Sequence, residues 1–135
     1  MRLAEPRRVW LPLTLVLVCA AAYGWFIVLP YYANNLDEVP LEELAGGLHD
    51  PKDLWPRTTS AGELVWGLGS LLTRAFGWAV TLGSAAWAAA MMWRDRHVLR
   101  PRGWIALCAA VIGAAALYAG LTSPFGEALL AWWMD

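Results

Sequence analysis

The sequence predicts an all-α integral membrane protein with three transmembrane helices, N-terminus inside and C-terminus outside, plus short interfacial helices. Three observations lead there. Hydrophobic residues make up 59% of the 135 residues and charged residues only 16%, with a mean hydropathy of +0.46, whereas a soluble domain carries about 25% charged and roughly 45–50% apolar residues. Three uncharged runs are each long enough to cross a bilayer. The charges between those runs are segregated by sign, although they sum to only −1.

The first run, WLPLTLVLVCAAAYGWFIVL, covers residues 10–29. Twenty helical residues rise about 30 Å, the thickness of a hydrocarbon core. Arg2, Arg7 and Arg8 before it and Ala20 to Ala22 within it resemble a signal peptide. The run continues through GWFIVLPYY, which favours an uncleaved span. Pro12 lies in the first turn, where no intrahelical donor is lost.

An outer link follows over residues 31–60. Within it Pro40 starts a short helix, Glu42 and Glu43 occupy the first turn where the helix dipole favours negative charge, and Gly46-Gly47 end it. Leu41, Leu44 and Leu48 recur at helical spacing and are expected to lie on the membrane or on a partner. His49, Asp50 and Asp53 are the residues nearest to a metal-ligand set, but no ligand-enforcing spacing is present, and neither a metal nor any other cofactor is expected.

Ser60 with Glu63 has the form of a capping box, so a second helix is expected to begin there. Arg74 divides it. Residues 61–73 read as an interfacial approach helix, with Gly67, Gly69 and Gly77 as bend points. Residues 74–93 form the second span. The third span covers 104–122, and Ser123-Pro124 opens an interfacial tail, 123–135, whose Trp132 and Trp133 are expected at a headgroup layer.

Orientation follows from the basic residues. Arg2, Arg7, Arg8, Arg94, Arg96, Arg100 and Arg102, seven of the ten, fall on one side of the spans, which the positive-inside rule makes cytoplasmic. The outer link carries Asp37, Glu38, Glu42, Glu43, Asp50 and Asp53 against Lys52 and Arg57. A multi-pass protein of a bacterial inner membrane, a single membrane domain over residues 1–135, is the expectation.

Helices in lipid associate through small residues that let backbones approach. The second and third spans are rich in such steps, including Ala79-Gly83, Ser84-Ala88, Ala106-Ala110, Ala109-Gly113 and Ala116-Gly120. Gly83, Gly113 and Gly120 are therefore candidate contacts with a partner or lipid. Arg74, a permanent charge at the edge of an apolar helix, either snorkels to headgroup phosphates or pairs with Glu127 or Asp135. No Asp, Glu, Lys or His lies inside the spans, which argues against a stand-alone pump or transporter. Cys19 and Cys108 sit in apolar runs without any CxxC or Cys/His spacing. The expected role is an accessory or structural subunit whose partners are the bilayer and other membrane subunits, and not nucleic acid.

Two resemblances add to this reading. VPLEEL, residues 39–44, resembles the Pro-x-Glu-Glu motif of the small membrane subunits of heterodimeric lycopene cyclases, which also have three spans. That resemblance implies a membrane enzyme in which Glu42 and Glu43 protonate, or stabilise charge on, an isoprenoid or lipid substrate. LPYYANN, residues 29–35, with the three-span spacing and the Trp-rich basic link before the third span, is similar to a family of small bacterial membrane proteins of unknown function. It implies a topology and no activity.

Overall fold

A computed structural model describes residues 7–47 and 49–134. Among them every regular element is a helix. Three helices are long and apolar enough to cross a membrane: α1 (Arg8–Ala33), α3 (Ser60–Arg94) and α4 (Pro101–Leu121). A single-turn helix, α2 (Leu41–Ala45), lies in the outer link, and α5 (Pro124–Met134) ends the chain.

The three long helices pack mutually. Thr81, Ser84, Ala88 and Met91 form the buried stripe of α3 and meet Ala106, Ala110 and Ala114 on α4. Small side chains on both faces bring the backbones together, as sequence spacing predicts. The pairs Ser84-Ala88 and Ala106-Ala110 lie in this seam, whereas Ala79-Gly83 and Ala116-Gly120 face outward. Gly113 meets α1, since a Cβ there would lie 3.3 Å from Val16 Cγ1. Nothing lies within 4 Å of a Cβ built at Gly83 or Gly120.

α1 contains a π-helical turn, Gly24–Val28, in which the Leu29 N–H donates to the Gly24 carbonyl. Pro30 explains it. Proline has no N–H to offer the carbonyl four residues back and its ring crowds that carbonyl, so the turn before it widens. The extra residue aims Phe26 at Gly69, where any Cβ would overlap its ring. Gly69 is thus a seat for an aromatic side chain and not a bend.

α3 differs from expectation at two points. It runs unbroken through Gly67, Gly69 and Gly77 for 35 residues, so residues 61–73 belong to the same continuous helix as the second span instead of forming a separate one. Packing along its length outweighs the propensity cost of isolated glycines. Its N-cap is Thr59, whose Oγ1 accepts from the Gly62 N–H at 3.1 Å, and Ser60 is the first helical residue. Glu63 does not close a capping box because Arg57 holds it. At Gly62 a Cβ would overlap the Pro56 carbonyl.

The link over residues 31–60 and the helix ends beside it fold into a cap with its own core. Ile27, Tyr31, Leu36, Leu44, Leu129, Trp132 and Trp133 are buried together there, with Trp66, Leu41 and Val39 packed around them. Trp132 and Trp133, expected at a headgroup layer, lie inside the protein at 0% and 1% exposure. Trp132 Nε1 donates to the His49 carbonyl at 2.8 Å, tying the chain's end to the outer link. Asn34 Nδ2 donates to the Trp55 carbonyl at 2.7 Å and ties the end of α1 to the same link. Ser123 caps α5 by accepting from the Gly126 N–H, as its position before Pro124 predicts.

Candidate functional site

Exposed aromatic side chains lie toward both ends of the long helices. Trp10, Trp93 and Trp104 are near the end that carries the basic link. Trp78 and Tyr118 lie toward the other end of α3 and α4, and Trp25 stands farther out on α1, stacked on Trp66 with ring centroids 6.5 Å apart. On α3 and α4 the two members are 15 and 14 residues apart, about 21–23 Å. Amphipathic side chains of this kind favour the two headgroup layers of a bilayer. α3 extends well past Trp78, and it is here that the surface becomes unusual.

The part of α3 beyond Arg74 carries Leu64, Leu68, Leu71 and Leu72, between 48% and 69% exposed. Leu64, Leu68 and Leu71 recur at i, i+4 and i+7, so they form one stripe. Beside this stripe runs an open groove of about 410 Å³, whose walls include Arg57, Glu63, Gly67, Ser70 and Trp133. The buried Trp133 Nε1 in this wall has no hydrogen-bond partner among the described residues, and a buried donor left unpaired carries a desolvation cost.

One end of the groove is set by a forked ion pair. Arg57 Nε and Nη2 donate to the two carboxylate oxygens of Glu63 at 2.9 and 2.8 Å. Arg57 Nη1 donates to the Trp133 carbonyl at 3.1 Å, and the guanidinium lies 5.2 Å from the Trp133 ring centroid. One arginine therefore joins the outer link, α3 and α5. Glu63 lies eleven residues before Arg74, beyond the uncharged run of the second span, and its hydrogen bonds from Arg57 hold its carboxyl below the usual glutamate range. A lowered folded-state pKa stabilises the fold above the unfolded value and loses that contribution as pH falls through the folded one. Acidification below about pH 4.3 is expected to loosen the cap, followed by near-ultraviolet circular dichroism of its tryptophans. Glu63→Gln is expected to be less stable at neutral pH and to flatten that dependence.

A second cavity, of about 300 Å³, lies where α1, α3, α4 and α5 converge, at the level of Trp78 and Tyr118. Its walls are largely apolar, and Arg74 is its charged residue. Glu127 forms no ion pair with Arg74 in this structure, and Asp135 lies outside the described residues.

The remaining sequence-predicted residues are distributed as follows. Leu44 is buried and Leu41 half-buried in the cap core, so both face the chain's own tail and not an outside partner; Leu48 lies outside the described residues. Glu42 and Glu43 are exposed in the first turn of α2 and line neither cavity described. Arg94, Arg96, Arg100 and Arg102 are exposed at the opposite end. There Arg94 pairs with Asp95 at 3.0 Å, and the Arg96 guanidinium lies 5.4 Å from the Trp93 ring centroid. Among the described residues His, Cys, Asp and Glu form no group of three or more that is placed to hold a metal.

Sequence reading takes residues 61–73 as an approach helix lying at the interface or tilting into a partner, and does not single out the α3 stripe as a site. A signal was present, since Leu64, Leu68 and Leu71 share one face and lie outward of Arg74. No family model matches the chain, and neither the curated proteins nor the solved structures compared with it contain a match.

Proposed function

We propose that this protein is an accessory or structural subunit of a bacterial inner-membrane assembly. Its three helices cross the bilayer with the N-terminus cytoplasmic, and its cap stands on the outer face. The charge segregation supports that orientation, with Arg94, Arg96, Arg100 and Arg102 on one side and the acidic link on the other. The exposed aromatic side chains toward both ends of α3 and α4 support insertion between them.

The observation that carries the subunit role is the apolar stripe of α3. At 35 residues the helix is about 52 Å long, against a hydrocarbon core of about 30 Å. If the span ends near Arg74, Leu64, Leu68, Leu71 and Leu72 stand beyond the core on the same side as the cap. A contiguous exposed apolar surface next to a polar rim marks a protein interaction site. The groove beside it supplies shape.

Purification from native membranes in mild detergent tests this. A stable companion polypeptide in constant ratio to the chain is the expected result. Recovery of the chain alone, monodisperse and fully folded, contradicts it.

A further inference from the structure

We propose that the cavity at Arg74 is a binding site for a single anionic membrane lipid, with its phosphate on Arg74 and one hydrocarbon chain inside. This inference rests on membrane insertion and is independent of any companion subunit.

Position is the first support. Arg74 lies 20 residues from Arg94 along one continuous helix, about 30 Å, which is the separation of the two headgroup layers from one another across the core. It is also one turn from Trp78, an exposed amphipathic side chain on the same helix. A guanidinium there is at phosphate depth.

Chemistry is the second. Arg74 forms no ion pair among the described residues, and its planar fork of donors suits two phosphate oxygens. Tyr23 and Tyr118 line the same cavity. Neither hydroxyl hydrogen-bonds to another described residue, so both are free to donate. Toward the middle of the span the walls are formed by Cys19, Gly77, Trp78 and Leu117, while Ile27 and Leu121 close the cavity on the cap side. A charged rim over an apolar interior matches an amphiphile and neither a free ion nor a fully apolar guest.

Size is the third. A volume of about 300 Å³ stands at the lower end of small-molecule sites, which run roughly 300–1,000 Å³. It accommodates part of a lipid, one chain end below the headgroup, while the rest of the molecule stays in the surrounding bilayer.

Gly77 provides a test that leaves the charge in place. It lines the cavity, and the nearest neighbour to a Cβ built there is Thr73 Cγ2 at 3.9 Å. A leucine therefore fits the backbone, fills the cavity with its remaining carbons, and favours the helix more than glycine does.

The experiment uses the full chain in nanodiscs of phosphatidylcholine doped with phosphatidylglycerol, with retained lipid read by native mass spectrometry. One phosphatidylglycerol per chain, retained in preference to phosphatidylcholine, is expected. Arg74→Ala is expected to weaken retention about five- to tenfold, since one basic residue at an anionic surface contributes at least fivefold. Arg74→Lys is expected to keep most of it. Gly77→Leu is expected to abolish it with helicity and melting temperature no lower than wild type. Inorganic phosphate is expected not to compete. Competition by inorganic phosphate would assign Arg74 to a free anion and overturn the proposal. Equal retention of the two lipids, or of phosphatidylglycerol by wild type and Gly77→Leu, would overturn it as well.

Discussion

Replacing Trp132 by alanine is expected to detach the outer cap while leaving the three long helices intact. Trp132 is fully buried and packs against Tyr31 and Trp133, with ring centroids 6.3 and 5.2 Å apart. Truncating a buried tryptophan costs about 3–5 kcal/mol, and the lost hydrogen bond to the His49 carbonyl adds about 1 kcal/mol. The loss falls on one local core, because the cap and the α3–α4 seam are separate clusters of buried residues. Limited proteolysis checks this directly. The variant should be cut within residues 34–60 under conditions where wild type resists, with unchanged helical content. Trp132→Phe, which keeps most of the packing, should lose only about 1 kcal/mol. Cleavage equal to wild type would mean that the tail does not hold the link.

The second large effect concerns assembly and not folding. Leu64 and Leu68 are 69% and 52% exposed, so glutamate at either position meets water in the lone chain and costs little. Against a partner it buries a carboxylate. Residues at the centre of an interface are worth about 2 kcal/mol or more each, so Leu64→Glu with Leu68→Glu should weaken association by on the order of a thousandfold. The companion polypeptide should be absent from the purified double variant, whose melting temperature should match wild type. A companion retained in full ratio would place its contact elsewhere.

Much of the local structure was legible because it depends on near neighbours. Pro40 with Glu42 and Glu43 specifies the short α2, Ser123 specifies the start of α5, and small-residue spacing specifies the α3–α4 seam at Ser84, Ala88, Ala106 and Ala110. What escaped depends on residues far apart in the chain. A Trp-Trp pair near a terminus has the same local pattern whether it meets headgroups or a protein core, and the difference is decided by Tyr31, Leu44 and His49. Glycine at 69 reads as a flexible point until Phe26 is known to occupy the space. Glu63 reads as half of a capping box until Arg57, three residues outside the helix, takes its carboxylate. The candidate surface on α3 was hidden by the same limitation, since whether Leu64 and Leu68 face lipid, cap or water is a matter of where the helix ends relative to the membrane surface.

A photoactivatable side chain at Leu68, introduced into the full chain in its native membrane, tests the docking face most directly. Ile105, 68% exposed on α4 within the inner half of the span, serves as the lipid-facing control. Cross-linking from position 68 to one discrete polypeptide, with only lipid adducts from position 105, is the predicted result. Lipid adducts alone from both positions would contradict it, because the outer half of α3 would then be a longer membrane span and not a docking face.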